Sequence, residues 1–473
     1  MNVVQNLKLF FEPRSLAFIG ASRKTAAKDG DTNPVETMLR DGYKGKIYPV
    51  NPNASEIMGL KSYPSIGDVP GEVDLVVISL PREGLIKAVT ECVQKGIKAI
   101  ILYSMGLDDG EDDEGKRIQA EAIRIAREGG ARIVGPNTFG VINAFNGLNT
   151  YWAPMYTERT IPLGAVCQSG IFSYRSWPEP PAGRGRMVGK VLDLGNLGDI
   201  DYADVLEFYE SDPQTELIFL HMERVKAGRR FLEVARRVSL KKPILALKVG
   251  RTPEGARVVA SHTGAMGGND GVYDGAFRQS GIIRVKDVDE LDDLIKTFLF
   301  LPLMKGKGVG IIGHVGGIKG MGTDAFISQG LEIPILTPDT LTQMGKLFPS
   351  WIKPFNPLDT WPAGILHGYQ ESTEALINLM LSDPNISGLL FVVWTVSQDE
   401  YKAWDATQIA VKAAARFPDK PICTWGYGPD ASGWRASLEK NPGILYFNTP
   451  ERAARALAAL HQRWRFLRET QSI

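Results

Sequence analysis

The sequence predicts an α/β protein built on open parallel sheets. Short apolar runs recur along nearly the whole chain, each closes on small or turn-forming residues, and helical patterns separate them. Uninterrupted apolar runs suit strands covered on both faces, as the strands of parallel sheets are. Alternation of strand and helix is the pattern of βαβ units. Leu16-Ala17-Phe18-Ile19 runs into Gly20, and Lys46-Ile47-Tyr48-Pro49-Val50 runs into Asn51-Pro52. Leu75-Val76-Val77-Ile78 leads to Ser79-Leu80-Pro81, and Ala99-Ile100-Ile101-Leu102 to Tyr103-Ser104. Between these last two runs, Leu85, Ile86, Val89 and Val93 share one helical face.

A second unit starts near Ile133-Val134-Gly135-Pro136-Asn137, and a third near Gly308, after the linker-like LPLMKGKG from Leu301. The expected divisions are 1–130, 131–300 and 301–473. The second and third units read as diverged copies. GAVCQSGIF from Gly164 parallels GVGIIGHVGGIKG from Gly308, KPILALKVG from Lys242 parallels KPICTWGYG from Lys420, and GIIRV from Gly281 parallels GILYF from Gly443. Only the second copy carries the long stretch Arg251 to Ser280, with SHTGAMGGND inside it. An element present in one copy and dispensable in the other points to function. At the C-terminus, Ala453, Leu457, Leu460, Trp464 and Leu467 mark an amphipathic helix that packs on its own unit or on a partner.

Composition narrows the function classes. Lys plus Arg and Asp plus Glu number 54 each, so net charge favours neither nucleic acid nor an anionic membrane as a partner. The N-terminus lacks the basic and apolar regions of a signal peptide, and no apolar window is long enough for a membrane span. Cys92, Cys167 and Cys423 match no zinc or disulfide spacing, which suits a cytoplasmic protein with reduced thiols and no bound metal.

Four places carry candidate chemistry. In Phe18-Ile19-Gly20-Ala21-Ser22-Arg23 a strand ends in small residues, so backbone amides can approach a phosphate, with Lys24, Lys28, Lys44 and Lys46 nearby. The dinucleotide signature GxGxxG is absent, and the turn alone is equally an ordinary βα connection. After the strand at Gly164, Cys167-Gln168-Ser169-Gly170 places a helix start, and hence an anion site, beyond a tight turn. Gly313-His314-Val315-Gly316-Gly317 repeats that design, and two such turns could face one phosphate. The fourth place, Ser261-His262-Thr263-Gly264, reads as a polar loop. Its histidine can attack phosphorus when a carboxylate orients the ring, for which Glu223 is the candidate.

The motifs FIGASR, YKGKIYPVNP, VGPNTFGVIN, QSG, VLDLGNLGDIDYADVLEF, KPILALKVGRTPEGARVVASHTGA, VYDGAFRQSGIIRV and FNPLDTWPAG follow in order across nearly the whole chain. In them the chain resembles the NDP-forming acyl-CoA synthetases, which include ADP-forming acetyl-CoA synthetase and, more distantly, succinyl-CoA synthetase. The resemblance implies a Rossmann-like CoA-binding domain followed by two flavodoxin-like domains. It implies that Gly20, Ala21, Ser22, Arg23, Lys46, Asn51, Pro52, Ser79, Pro81, Pro136 and Asn137 contribute to coenzyme A binding. It implies a phosphohistidine at His262 supported by Glu223, with phosphate or acyl phosphate held by Gln168, Ser169, Gly170, Gly316 and Gly317.

Nothing in the chain resembles an ATP-grasp domain. The resemblance therefore implies an α subunit whose ATP or ADP, with Mg2+, binds a separate ATP-grasp β subunit in a heterotetramer. The other substrate would be a small carboxylic acid. Departures from the family pattern gather near the expected acyl site. Phe172, Tyr174 and Arg175 follow the QSG turn, and His314 and Lys319 stand in the third unit's turn. Such bulk would favour an aromatic acid or a dicarboxylate over acetate. The alternative function is a CoA-binding regulatory or scaffold protein that has lost ligase activity.

Overall fold

The computed structural model describes residues 3–471 apart from 26–27, 29–32, 111, 152, 154, 156–158, 171, 173–186, 264–269, 315, 396–402, 429 and 442. It contains three principal sheets. The first holds β1 (Ser15–Ile19), β2 (Lys46–Val50), β3 (Leu75–Ile78), β4 (Ala99–Leu102) and β5 (Arg132–Val134) in the order β2-β1-β3-β4-β5, all parallel. β1, β3 and β4 are buried along their whole length, which is why they read as unbroken apolar runs.

The second sheet holds β6 (Val141–Asn143), β7 (Leu148–Asn149), β8 (Arg159–Cys167), β9 (Met187–Asp193), β10 (Leu217–Met222), β11 (Ile244–Lys248) and β12 (Ile283–Arg284). Its order is β12-β11-β10-β8-β9-β6-β7, with β6 and β7 added antiparallel at one edge. The third sheet holds β13 (Val309–Gly313), β14 (Leu358–Asp359), β15 (Gly388–Trp394), β16 (Ile422–Tyr427) and β17 (Ile444–Phe447), in the order β14-β13-β15-β16-β17.

The parallel strands of all three sheets follow one rule. The second strand lies on one side of the first, and the third to fifth lie on the other. This is the doubly wound 2-1-3-4-5 order, whose ligand crevice opens at the carboxyl ends of the strands beside the first. β8 and β13, β11 and β16, and β12 and β17 hold the segments that match in sequence, and each pair occupies equivalent places.

The chain divides into two compact units. One holds the first two sheets, and the other holds the third together with the helix Val288–Phe300. In the first unit, the N-terminal helix Val3–Phe11 buries Leu7, Phe10 and Phe11, and the Phe11 ring stacks on Phe208 at 4.8 Å. Segment 133–137 is zipped to segment 194–200, since Asn196 N donates to Pro136 O, Gly198 N to Gly135 O and Ile200 N to Ile133 O. Arg132 closes the seam with Asp199 at 2.8 Å and Asp204 at 3.0 Å. Lys190 is completely buried and lies 2.8 Å from Asp212 and 3.4 Å from Glu12.

In the second unit, the C-terminal helix Pro450–Gln471 buries Ala453, Leu457 and Leu460 against its own unit. Arg452 pairs with Asp293 at 2.5 Å, and Arg455 pairs with Glu290. The amphipathic stripe is thus satisfied within the chain. No described helix is long and apolar enough to cross a membrane.

Candidate active site

Each sheet presents a candidate turn at the carboxyl edge of its first strand. In the first sheet this is Gly20-Ala21-Ser22-Arg23 after β1. Gly20 has φ +87°, and a Cβ there would stand 2.1 Å from Ser79 O, so only glycine fits between the ends of β1 and β3. Ser79 N donates to Ile19 O at 2.9 Å, Gly20 N to Val50 O at 3.0 Å, and Asn51 Nδ2 to Ala21 O at 2.8 Å. Gly20, Ala21, Ser22, Arg23, Asn51, Pro52, Ser79 and Pro81 therefore gather at one edge, with Arg23, Pro52, Ser79 and Pro81 exposed. A narrow, glycine-floored edge of this kind can admit a phosphate.

Lys46 does not join them. It opens β2 and pairs with Ser15, so it stands at the amino edge. Four residues at about 3.3 Å each separate it from Val50, so its strand position lies ~13 Å from that edge. Pro136 and Asn137 belong to the seam with segment 194–200. Pro136 is buried, and Asn137 N donates to Ser104 O at 3.1 Å.

At the second sheet the chain leaves β8 through Gln168, Ser169 and Gly170. Gln168 is 3% exposed, and its Oε1 accepts from Glu223 N at 2.8 Å, Arg224 N at 2.8 Å and the Tyr202 hydroxyl at 2.9 Å. The turn after β8 and the backbone at Glu223 and Arg224, just after β10, are thereby clasped together. Gln168 Nε2 is buried with no partner among the described residues, which leaves its amide N–H groups for a ligand. A Cβ on Gly170 would meet the Phe139 ring at 2.3 Å, so glycine lets the helix start lie against that ring.

The structure adds residues that sequence reasoning did not single out. Asp193, at the end of β9, is 1% exposed and accepts from Phe139 N at 3.0 Å and Gly195 N at 3.2 Å. Burial pushes its carboxyl up to about 6, the two N–H groups oppose this, and the Glu223 charge adds to it. His221, on β10, is buried and stacks on Phe172 at 4.0 Å. Burial, aided by the Lys248 charge, pushes its imidazole down to about 3, so it is neutral. Lys248 ends β11, 4.7 Å over the Tyr273 ring, and burial lowers its pKa. The signal for Asp193 was a charge inside the otherwise apolar run VLDLG.

His262 stands in the last turn of the helix Pro253–Thr263, which corrects the expectation of a loop there. Thr252 Oγ1 accepts from Gly255 N at 3.0 Å, Pro253 fits the first turn, and Ala256, Val258, Val259 and Ala260 continue the helix. The His262 side chain lies outside the described residues, as do residues 264–269, Tyr174 and Arg175.

At the third sheet, Gly316 and Gly317 are exposed and precede the helix Ile318–Ser328, whose N-terminus has no side-chain cap. Its N–H groups face outward for an anion. Asp359 lies beside this turn, 3.8 Å from Lys319. His314 Nε2 meets the Tyr427 hydroxyl at 3.0 Å, and burial lowers the His314 pKa.

Comparison with known proteins bears on this arrangement. A family model described as a CoA binding domain matches residues 14–144, and one described as a succinyl-CoA ligase like flavodoxin domain matches residues 162–298. The ADP-forming acetate–CoA ligase II of Archaeoglobus fulgidus is 37% identical over 83% of this chain, which spans 58% of that protein's length. The alpha subunit of ADP-forming acetate–CoA ligase I of Pyrococcus furiosus is 35% identical, with 97% of each chain covered. The solved structure of Ca. Korarchaeum cryptofilum dinucleotide forming acetyl-coenzyme A synthetase 1, in complex with phosphate and ADP, superposes with a TM-score of 0.84 at 30% identity over 99% of each chain. The chain belongs to the NDP-forming acyl-CoA synthetase family.

Proposed function

We propose that this chain is the α subunit of a cytoplasmic ADP-forming acid–CoA ligase that interconverts acyl-CoA, phosphate and ADP with acid, CoA and ATP. Phosphate oxygen attacks the thioester carbonyl, giving acyl phosphate and releasing CoA as its thiol. A ring nitrogen of His262 then takes the phosphoryl group, and the carboxylate leaves. The phosphoryl group passes finally to ADP. The observation that carries this reading is the clasp of Gln168 Oε1 on the backbone N–H of Glu223, which ties the turn after β8 to the residue that bears this buried carboxylate. Glu223 would orient the His262 ring, and Gln168 Nε2 with the amides of Ser169 and Gly170 would hold phosphate oxygens. Gly316 and Gly317 offer a second anion turn in their own unit.

The edge at Gly20, Ser22, Arg23, Asn51 and Ser79 suits the phosphates of coenzyme A. Residues 1–130 would thus serve CoA, 131–300 the phosphoryl carrier, and 301–473 the acyl phosphate. ATP or ADP with Mg2+ would bind an ATP-grasp β subunit in a heterotetramer.

The test is to incubate the purified chain with acyl-CoA thioesters and radiolabelled phosphate. The expected product is a protein-bound label, stable in base and lost in acid, that His262→Asn abolishes. If none of a broad panel of thioesters labels the chain, the scaffold reading takes its place.

A further inference from the structure

The turn proposed to hold phosphate follows β8, and the strands on either side of β8 each lead to a buried carboxyl. On one side β10 runs into Glu223, whose backbone N–H is tied to Gln168 Oε1. On the other side β9 ends in Asp193, which stands opposite Cys167 in the register of the two strands. The Asp193 carboxyl lies against the turn itself, since a Cβ on Gly170 would stand 3.6 Å from Asp193 Oδ2. That oxygen also accepts from Phe139 N at 3.0 Å, and Oδ1 accepts from Gly195 N at 3.2 Å, so the carboxyl is fixed behind the turn.

A phosphate at this turn would bring a third acidic group to one buried place. Like charges this close and this dry are not all ionised together. A carboxylate that orients the His262 ring has to keep its charge, which leaves the proton to Asp193. The surroundings divide the two in that sense. Lys248, at the end of β11, attracts the Glu223 charge. Burial and the Glu223 charge both favour the neutral form of Asp193, and no cation is among the main influences on it. The other titratable groups around Asp193 bring no positive charge. Tyr202 on the helix Tyr202–Ser211 and Tyr103 after β4 are phenols that burial keeps protonated, Cys167 is a buried thiol, and His221 is neutral. With no phosphate present the Asp193 carboxyl is already pushed up to about 6, and an anion at Gly170 pushes it further in the same direction.

We propose that Asp193 is a positioning residue of the phosphate turn: carrying a proton it lets the turn take a dianion, and ionised it opposes one. The inference rests on the ligase reading above. Binding and protonation are then reciprocal, so phosphate draws a proton onto Asp193 and its departure releases that proton to solvent. Affinity for the anion is full below about pH 6 and declines as pH rises beyond it.

The test uses the full chain. Sulfate, which stays a dianion throughout, and inorganic phosphate are titrated by calorimetry from about pH 5 to about pH 8. Wild type and Asp193→Asn are compared, with Asp193→Ser as the second neutral variant should asparagine fail to fold. Changes in the anion and in His262 affect both proteins and cancel in their ratio. The expected result is a variant-to-wild-type affinity ratio that rises at least threefold over this range. A merely structural role of Asp193 would shift the ratio equally at every pH. A smaller rise, a fall, or binding of neither anion overturns the proposal. If neither variant folds, the His262→Asn chain decides: sulfate binding near pH 7 must take up protons, read from two buffers of different ionisation enthalpy, and no uptake refutes the role of Asp193. Labelling from radiolabelled phosphate with acyl-CoA thioesters runs alongside. Absence of label with every thioester overturns the ligase reading, while the affinity ratio still decides the role of Asp193.

Discussion

Replacing Asp193 by asparagine should change how stability depends on pH. The wild-type carboxyl is pushed up to about 6 in the folded chain from an ordinary 3.8. Between those values the folded chain holds a proton that the unfolded chain has lost. The stability this residue contributes is therefore present at low pH and is lost as pH rises toward 6 and beyond. At 1.36 kcal/mol per pH unit, a separation of about 2 amounts to roughly 3 kcal/mol. His221 acts in the opposite sense. Its imidazole is pushed down to about 3 from 6.5, so its contribution is present above pH 6.5 and lost as pH falls through the window to 3. Between pH 4 and 6 the two dependences oppose one another. Asp193→Asn removes one and leaves the other exposed.

The assay is urea unfolding of the first compact unit, followed at pH 4, 5, 6 and 7 for wild type and variant. Asparagine offers one acceptor where Asp193 offers two to Phe139 N and Gly195 N, so a constant offset of ~1–3 kcal/mol is also expected. The diagnostic quantity is the difference between the two proteins, which should move by about 2–3 kcal/mol in the variant's favour from pH 4 to 7. A difference that stays within about 0.5 kcal/mol across the range would falsify the assignment of a buried, proton-binding carboxyl to Asp193.

Gln168→Ala takes the acceptor from the buried N–H groups of Glu223 and Arg224, while the Tyr202 hydroxyl keeps His221 O at 2.6 Å. A cost of roughly 1–3 kcal/mol in urea unfolding is expected, together with loss of phosphate labelling. Gly20→Ala forces a Cβ onto Ser79 O at φ +87°, and about 2–5 kcal/mol of destabilisation with weakened CoA binding by calorimetry should follow. Lys190→Met leaves Asp212 buried without its cation, at a cost of ~3–5 kcal/mol, and adding Asp212→Leu should restore at least half of that in the same denaturation measurement.

The strands were legible because burial on both faces leaves unbroken apolar runs, and β1, β3 and β4 stand where those runs lie. The turns at Gly20 and Gln168 were legible as strand ends with small or polar residues. Strand order was not, because hydrogen bonding between distant segments leaves no local trace. The separation of Lys46 from the other residues of that edge was hidden for a related reason. Proximity in sequence to Asn51 conceals that the two stand at opposite ends of one strand. His262 was assigned to a loop on the weight of its glycine-rich sequel, although Thr252 and Pro253 start a helix that reaches it. Asp193 looked like one polar residue in an apolar strand, and only the packing of Phe139 and the turn at Gly195 makes it a buried acid.

The helix end that carries His262 has a further meaning for energy transfer. The last turn of a helix presents unpaired carbonyl oxygens, equivalent to roughly half a negative charge. If His262 carries a phosphoryl group as proposed, that group would add negative charge where the backbone is already negative, a penalty of about 0.3–1 kcal/mol. Cations usually complete such an end. An anion there would be held slightly uphill, and its onward transfer would be correspondingly easier.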